Sequence, residues 1–219
     1  CQKEYENPSN RRFHSQTNTC PTCGINLFLI DNFGQHIQVQ KTDLFYKVAL
    51  LLEQGNIIAI KNTSGFLLCC NAESKSAVQK LRYKKQRPKK PFAVLYPSMH
   101  HLKRELVISS EQEKSLKSIE RPINIIDSGV FKGKINLEAV APGLSQIGVM
   151  LPYSGILQLL ANQLKFPIVA TSGNIHGSPI ISDFEEAFLK LNHVADYFLN
   201  HHLKVVHPQD DSVVKFSKK

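Results

Sequence analysis

The sequence predicts an α/β fold with a mixed sheet, preceded by a short metal-binding segment. Short apolar runs with the composition of buried strands alternate with segments whose apolar residues recur at helical spacing, and this alternation indicates the α/β class. Cys20 and Cys23 are spaced as in a zinc knuckle, which indicates the metal-binding segment. We expect residues 1–30 to end a zinc-finger region and residues 38–219 to form the α/β domain.

The composition is that of one globular unit with a basic surface. The chain has 219 residues, 42% of them hydrophobic, which is enough for one sizeable core. Lys and Arg number 27 against 18 Asp and Glu, so the formal charge of +9 favours nucleotides, nucleic acid or acidic protein surfaces as partners. The sequence has neither a membrane-spanning apolar run nor a signal peptide, so we expect no membrane association. Its first residue is Cys, so we expect a fragment of a longer chain.

Cys1, Cys20 and Cys23 are the candidate ligands of Zn²⁺. A zinc site with four Cys ligands would need one more Cys just upstream of Cys1. His14 is a candidate substitute ligand, and a redox pair or unrelated thiols remain the alternatives. Reduced thiols of this kind are typical of a cytoplasmic protein. Cys69 and its neighbour Cys70 lie in an apolar run, so we expect them to be buried and inert.

The predicted elements follow one another along the chain. Phe45, Val48 and Leu52 have helical spacing, and Gly55 ends this helix. Further helices are predicted at 74–85, 110–118 and 156–164, and a capping box at Ser182 opens a last one. Apolar runs predict strands at 56–60, 66–70, 91–97, 122–126, 147–151, 167–170, 197–199 and 212–216, with a loop at 128–146.

A basic run is the most distinctive stretch of the sequence. Seven of the eleven residues from Lys80 to Lys90 are basic, and no acidic residue occurs between Ser74 and Arg104. The run is either a solvated helix face continued by a basic loop, or a segment that wraps a polyanion, with prolines fixing the backbone so that cations converge on phosphates. We expect it to be exposed in both cases.

Three polar segments follow predicted strand ends, at residues 61–65, 171–174 and 210–212. In open α/β sheets, ligands bind at such ends. The hydroxyl and amide groups of 171–174 surround Gly173, which would let the backbone approach a ligand, although such residues also form ordinary turns. The two Asp residues of 210–212 either hold magnesium or face solvent. The usual Gly-rich phosphate-binding fingerprints are absent from the sequence.

Several motifs together make the chain recognisable. In order, they are Cys1-x-x-Glu4-Tyr5, Asn10-Arg11-Arg12-Phe13-His14-Ser15-Gln16, Cys20-Pro21-x-Cys23-Gly24, Leu81-Arg82-x-Lys84-Lys85-x-Arg87-x-x-Lys90-Pro91-Phe92-Ala93-Val94, Ala141-Pro142-Gly143, Gly148-Val149-Met150-Leu151-Pro152-Tyr153, Thr171-Ser172-Gly173-Asn174 and Asp210-Asp211-Ser212-Val213. This series resembles the HypF family of hydrogenase-maturation carbamoyltransferases. The resemblance covers the end of that family's zinc-finger region and its YrdC-like domain.

The resemblance implies a fold and an activity. The fold would be a YrdC-like open twisted mixed sheet with flanking helices. The activity would be the formation of carbamoyl adenylate and pyrophosphate from ATP and carbamate, which is derived from carbamoyl phosphate. A further domain would pass the carbamoyl group to a HypE-type acceptor protein, where it becomes the cyanide ligand of nickel–iron hydrogenase. The implied cofactors are ATP, Mg²⁺ and Zn²⁺.

The chemistry of this reaction selects candidate site residues. Preorganised cations must offset the repulsion between carbamate and the α-phosphate, so Lys85 and Arg87 are the candidate catalytic residues. Ser172 and Asn174 would hold the α-phosphate or the carbamoyl group. The candidate nucleotide-binding residues are Lys61, Lys85, Arg87, Lys90, Thr171, Ser172, Asn174 and Ser212.

The chain departs from the family pattern, and alternatives remain. Leu67 stands where the family has His and Asn71 where it has Asp, and the Gly-rich run of the family is reduced around Thr63 and Ser64. One alternative is a YrdC-like module that binds double-stranded RNA or tRNA through a basic face. The other is the formation of threonylcarbamoyl adenylate for tRNA modification, against which the zinc knuckle argues.

Overall fold

A computed structural model describes residues 1–15, 24–175 and 177–217 of the 219-residue chain. The strands are β1 (Leu27–Asp31), β2 (Ile58–Asn62), β3 (Gly65–Asn71), β4 (Ala93–Leu95), β5 (Ile123–Asp127), β6 (Gln146–Met150), β7 (Ile168–Ser172), β8 (Tyr197–His201) and β9 (Val213–Lys215). The helices are α1 (Gln2–Glu6), α2 (Leu44–Glu53), α3 (Lys75–Lys84), α4 (Met99–Glu105), α5 (Ser110–Lys117), α6 (Leu137–Val140), α7 (Gly155–Ala161) and α8 (Phe184–Leu191).

All the strands belong to one mixed sheet, so the predicted fold class is confirmed. The strand order is β1-β8-β2-β3-β7-β4-β6-β5-β9. The pairs β2–β8, β4–β6 and β5–β9 are parallel, and the remaining pairs are antiparallel. Because β3 is antiparallel to both β2 and β7, the strands β2, β7 and β8 run in the same direction. Their carboxyl ends therefore meet the starts of β3 and β4 at one edge of the sheet.

Helices cover both faces of this sheet and divide the core into two clusters. One cluster joins alternate strand residues such as Phe66, Leu68 and Val169 to α3 and α8. The other joins the intervening strand residues, such as Ile60 and Leu67, to α2 and α7. The central strands read as continuous apolar runs because both of their faces are buried.

The local signals of helix start and stop act largely as predicted. Ser74 caps α3 by accepting a hydrogen bond from the backbone N–H of Ala77. Gly55 follows the end of α2 with a φ of 85°, a backbone conformation that glycine adopts without strain. The capping box predicted at Ser182 is wrong by one residue: the N-cap of α8 is Asp183, whose carboxylate accepts the N–H of Glu186 at 3.1 Å.

Four elements were not foreseen from the sequence. They are β1 and the helices α1, α4 and α6. Of these, β1 begins within residues 1–30, which are predicted to belong to the zinc-finger region, yet it pairs with β8 as an edge strand of the sheet. The helix α6 forms one turn inside the predicted loop 128–146, with Asn136 as its cap. No helix in the described ranges is long and apolar enough to cross a membrane.

Candidate functional site

The polar segments after β2 and β7 lie at the edge of the sheet where the carboxyl ends of these strands meet the start of β4. Ala93, at the start of β4, pairs with Ala170 of β7, so the chain that leads into β4 runs beside the end of β7. Ser172, the last residue of β7, pairs with Leu67 of β3. The basic run and the 171–174 segment, far apart in sequence, therefore come together at this edge.

Lys85 is the residue that joins the two segments. It follows the last turn of α3, and Gln86, with a φ of 52°, turns the chain away from the helix axis. The ammonium group of Lys85 donates hydrogen bonds to the carbonyl oxygens of Ser172 at 2.6 Å and Asn174 at 2.7 Å, and to Oδ1 of Asn174 at 2.8 Å. Its side chain is only 5% exposed, so the cation is fixed in position before any ligand arrives.

The surroundings of Lys85 disfavour the charged form of its side chain. Burial, followed by repulsion from Arg87 and Lys90, lowers the pKa of Lys85 from 10.5 to about 7. All three of its hydrogen-bond acceptors are neutral oxygens. The positive charge is therefore solvated by the protein without being neutralised, and a phosphate can still be attracted to it.

Arg87 lies beside Lys85 at the same edge. Its guanidinium donates to the carbonyl of Pro91 at 2.7 Å and to Oγ1 of Thr171 at 3.3 Å, and it stacks over the ring of Phe92 at 5.1 Å. Burial, with a smaller contribution from Arg82, lowers the pKa of Arg87, which nevertheless remains a cation at neutral pH. The planar guanidinium group of Arg87 is thus held between β7 and the start of β4, where it can bind two phosphate oxygens at once.

The backbone of 171–174 approaches β3 closely. A Cβ atom at Gly173 would lie 2.6 Å from Cβ of Phe66 and 2.7 Å from its carbonyl oxygen, so only glycine fits there. Gly173 instead donates its N–H to that carbonyl at 2.6 Å. Asn174 donates from Nδ2 to the carbonyl of Ser178 at 2.6 Å and accepts from the hydroxyl of Ser172 at 2.9 Å.

Arg82 supports the site, and sequence reasoning missed it. It is 9% exposed and donates to five backbone carbonyls at 2.7–3.4 Å, those of Arg87, Pro88, Lys90, Ala139 and Val140. It also stacks over Phe92 at 4.4 Å. Arg82 therefore fixes the loop that carries Arg87 and ties this loop to α6. The sequence signals at Arg82 were its position in the basic run and in the motif that begins at Leu81, and neither separates structural from ligand-binding cations.

The residues of the basic run have different environments and roles. The expectation that it is exposed is wrong for Arg82 and Lys85, which are buried. Lys80 and Lys84 form ion pairs with Asp196 at 2.6 and 3.6 Å, although no acid is nearby in sequence. The reason is that α3 packs against the segment before β8, which brings a distant carboxylate to the helix. The side chains of Lys89 and Lys90 are exposed.

The remaining predicted residues lie apart from this contacting group. Lys61 is buried near the end of β2, where its ammonium donates to the carbonyl of His201 at 3.2 Å and burial lowers its pKa. The carbonyl of Ser212 accepts the N–H of Ile123 at 2.8 Å, at the starts of β5 and β9. The structure thus groups Lys85, Arg87, Thr171, Ser172 and Asn174, whereas a role for Lys61 or Ser212 at this site stays a prediction.

Only some of the predicted metal ligands lie in the described residues. Cys20 and Cys23 lie outside the described residues, so the zinc site at Cys1, Cys20 and Cys23 stays a prediction. His14, the candidate substitute ligand, is stacked on the rings of Phe13 and Tyr5 at centroid distances of 4.2 and 5.0 Å. The described ranges contain no group of three or more His, Cys, Asp or Glu side chains suited to a metal ion.

Comparison with known proteins shows which families the chain resembles. Residues 50–219 match the YrdC/YciO family, described as telomere recombination, and residues 1–30 match the HypF finger. The carbamoyltransferase HypF of Rhodobacter capsulatus is 37% identical over 215 residues, which are 98% of this chain and 28% of that protein. Threonylcarbamoyl-AMP synthase of Histophilus somni is 28% identical over 131 residues, 58% of this chain and 70% of the synthase.

A solved structure extends the likeness to three dimensions. Full-length HypF in its phosphate- and nucleotide-bound form has a TM-score of 0.86 and 40% identity, covering 99% of this chain and 28% of that one. The chain thus spans 28% of the length of each HypF protein described here. It belongs to the YrdC/YciO family, and its finger region and its sequence are similar to those of the HypF carbamoyltransferases.

Proposed function

We propose that this protein forms carbamoyl adenylate from ATP and carbamate, the latter derived from carbamoyl phosphate. The observation that carries the proposal is the buried ammonium of Lys85, fixed beside the guanidinium of Arg87 at the end of β7. Two fixed cations at the carboxyl edge of an α/β sheet suit a polyphosphate. The nucleotide in the HypF relative supports the same class of ligand.

The reaction joins two anions. A carbamate oxygen attacks the α-phosphorus, an oxygen–phosphorus bond forms, and the bond from that phosphorus to the bridging oxygen breaks. Pyrophosphate leaves with the electron pair of the broken bond. Lys85 and Arg87 would lower the barrier by binding the phosphate oxygens, because fixed cations need no reorganisation as charge moves to the leaving group.

Lys85 is better suited to this role than the other lysines of α3. Lys80 and Lys84 are already paired with the carboxylate of Asp196. Lys85 contacts neutral oxygens alone, so its charge is available to a ligand. The exposed Lys90 would add a further positive charge at the rim, where the end of the triphosphate meets solvent.

The residues of the site do not form a protein-held magnesium site. The groups next to Lys85 and Arg87 are hydroxyls, amides and backbone carbonyls, whereas magnesium prefers carboxylates. Magnesium would therefore be carried by the phosphates of ATP. Zinc would belong to the finger, at Cys1, Cys20 and Cys23.

The rest of the activity would need parts beyond this chain. In a longer HypF-like protein, a further domain would take the carbamoyl group from the adenylate to a HypE-type acceptor, for the cyanide ligand of nickel–iron hydrogenase. The burial of some residues of the basic run favours a small ligand over an RNA duplex. Duplex binding uses rows of exposed cations, whereas Arg82 and Lys85 are buried.

The test compares two variants in calorimetric titration with magnesium-ATP. Arg87→Ala should weaken ATP binding by roughly ten- to a hundredfold, because one charge-assisted pair of hydrogen bonds is lost. Lys89→Ala, which removes an exposed cation two residues away, should change the affinity less than about threefold. Thermal unfolding of both variants checks that the fold is retained.

Equal ATP affinity in the wild type and in folded Arg87→Ala would refute the proposed site. A short RNA duplex serves as the parallel titrant. Tight duplex binding with a steep salt dependence, together with no ATP binding, would favour the RNA-binding alternative.

A further inference from the structure

A cavity with charges of both signs lies at the edge of the sheet opposite to Lys85. Glu73 follows the end of β3 by two residues and Tyr96 directly follows β4, and both strands run antiparallel to β7. Their carboxyl ends therefore lie where α3 begins, whereas Lys85 follows the other end of this ten-residue helix, about 15 Å away. The charged side chains that line the cavity include Glu73, Arg104, Glu105, Lys132, Lys134 and Lys165. We call this space of about 230 Å³ the Glu73 cavity.

Two half-buried carboxylates provide the hydrogen-bond acceptors of the cavity. The hydroxyl of Tyr96, which is fully buried, donates to Oε2 of Glu105 at 2.9 Å. Burial raises the pKa of Glu73, and the charge of Lys134 opposes this shift while that of Glu105 adds to it, so these groups are near one another. Within the described ranges, Oε1 of Glu105 and both carboxylate oxygens of Glu73 have neither an ion-pair nor a hydrogen-bond partner. Three carboxylate oxygens are therefore left to accept from a ligand.

Four cations with exposed side chains accompany these carboxylates. They are Arg104, Lys132, Lys134 and Lys165. None of the four forms an ion pair in the part of the chain that the structure describes. By contrast, Lys103, the neighbour of Arg104 in α4, is paired with Glu113 at 2.6 Å. The cations of the cavity are thus available to an anion, and their number favours one with more than a single charge.

The loop between β5 and α6 brings two of these lysines to the cavity. The N–H of Lys132 donates to the carbonyl of Glu105 at 2.9 Å. Gly133 packs so closely that a Cβ atom there would clash with the carboxylate of Glu105. The loop is therefore tied to the end of α4, and it keeps Lys132 and Lys134 beside the carboxylates.

The arrangement suits a small ligand with two unlike ends. The cations outnumber the carboxylates by two, so a doubly charged phosphate group balances the remaining charge. Ionised carboxylates only accept hydrogen bonds, so the other end of the ligand must carry N–H or O–H donors. A metal ion is less suited, because the described ranges contain no group of three or more metal-ligating side chains. Nδ1 of His101, which also lines the cavity, is already paired with Oγ of Ser98 at 2.9 Å.

We propose that the Glu73 cavity binds a small phosphate-bearing ligand whose other end is an N–H donor, the class to which carbamoyl phosphate belongs. The phosphate would lie among the four cations, and the two N–H bonds of the amide would each donate to one carboxylate. The choice of carbamoyl phosphate within this class rests on the proposed function, which derives carbamate from that compound. The cavity would hold this precursor at a site separate from the cations that bind ATP.

The test compares two stable phosphonates in calorimetric titrations. Phosphonoacetamide keeps the phosphate-like and amide ends of carbamoyl phosphate, whereas in phosphonoacetate a carboxylate replaces the amide. The wild type should bind phosphonoacetamide roughly tenfold more tightly, because the carboxylate of the other ligand would face Glu73 and Glu105. In Glu73→Gln this preference should fall to about threefold or less, because the glutamine amide can pair with either ligand.

Three further variants show where the ligand binds. Lys134→Ala should weaken phosphonoacetamide binding roughly tenfold, because a cation at the phosphonate is lost. Lys103→Ala removes a neighbouring cation that is already paired with Glu113, and it should change the affinity less than about threefold. Arg87→Ala should leave this affinity unchanged, because Arg87 lies at the other edge of the sheet. Thermal unfolding checks each variant, and Arg104→Ala replaces Lys134→Ala if the latter does not fold.

The outcomes separate this inference from the proposed function. Loss of phosphonoacetamide binding in Arg87→Ala would place the ligand at the ATP site and overturn the assignment of the cavity. An unchanged preference in folded Glu73→Gln, or equal losses in Lys134→Ala and Lys103→Ala, would also overturn it. If the wild type binds magnesium-ATP but neither phosphonate, the inference fails and the proposed function stands. If it shows the amide preference but does not bind ATP, the proposed function fails and the cavity remains a site for this class of ligand.

Discussion

Three lysines of one sequence run have different properties because their partners differ. Lys80 and Lys84 lie within hydrogen-bond or ion-pair distance of the Asp196 carboxylate. Lys85, the next residue, is turned to the other side of the helix end and is surrounded by neutral oxygens. Its charge is therefore stabilised by dipoles alone. The pKa of Lys85 is for this reason sensitive to its surroundings.

The pH dependence of ATP binding tests the state of Lys85. Burial and the nearby cations lower the pKa of this lysine to about 7 in the free protein. Below that pH the ammonium is present, whereas above it binding must also recruit a proton. The ATP affinity should therefore fall as the pH rises from 7 to 9, approaching a tenfold loss per pH unit.

Lys85→Arg provides the control, because arginine stays charged over this range and the titration of ATP itself is common to both proteins. Calorimetric titrations at several pH values, in buffers of different ionisation enthalpy, measure both affinity and proton uptake. Identical pH profiles for the wild type and Lys85→Arg, without proton uptake by the wild type, would show that Lys85 does not titrate there.

At the scale of elements, the loop between α3 and β4 is held in place by one buried side chain, that of Arg82. Arg82, in the last turn of α3, donates to three carbonyls of this loop and to two of α6. The loop has no regular secondary structure, so these bonds replace the ladder that a strand would supply. The position of Arg87 thus depends on a side chain that need not touch the ligand.

Arg82→Lys should therefore loosen the loop. A lysine ammonium has three donors on a flexible stem and cannot satisfy five carbonyls in a plane, so we expect the free energy of unfolding to fall by about 2–3 kcal/mol. Urea denaturation measures this change, with Lys89→Ala expected to stay within about 0.5 kcal/mol of the wild type. ATP binding should weaken as well, because Arg87 is no longer held. Unchanged stability and affinity would contradict the role of Arg82.

The two departures from the family pattern in β3 are not equivalent. Asn71 ends the strand far from Gly65 and accepts the N–H of Glu73 with its Oδ1 at 2.9 Å, so it shapes the turn into α3. Leu67 is paired with Ser172 and is 1% exposed within the second core cluster. Leu67 therefore lies beside Ser172 in the sheet with its side chain in the core, whereas Asn71 is at the opposite end of the strand.

At the scale of the molecule, the N-terminal region contributes to the sheet. The strand β1 pairs with β8 along its whole length, and Leu29 and Ile30 are 1% and 4% exposed. The sheet edge thus extends into residues that sequence analysis grouped with the finger. Residues 27–31 therefore connect the N-terminal region to the sheet of the α/β domain.

Removal of residues 1–37 tests this connection. Loss of two buried aliphatic side chains and of a paired edge strand should lower the free energy of unfolding by about 4 kcal/mol relative to the 219-residue chain. Chemical denaturation of the two chains gives the comparison. Equal midpoints and slopes would mean that β1 adds nothing to the stability of the domain.

Periodicity and local chemistry were enough to predict much of this protein. Buried apolar runs located the central strands, and the helical spacing of Phe45, Val48 and Leu52 located α2, because these signals are repeated over several residues. The elements that were missed are short or lie in polar surroundings, as in α6, where four residues give no period. The chemistry of the motifs also brought Lys85, Arg87 and Thr171–Asn174 into one proposed site.

Sequence by itself determined which residues are cationic, which are apolar and where the chain turns, since these are properties of the residues and their neighbours. Only the tertiary structure decided which cations are free for a ligand. Asp196 forms an ion pair with Lys80, Arg82 donates a hydrogen bond to α6, and β8 pairs with β1. Each of these contacts joins residues that are far apart in the chain. No local pattern carries that information, because the pairing depends on how the strands are ordered in the sheet.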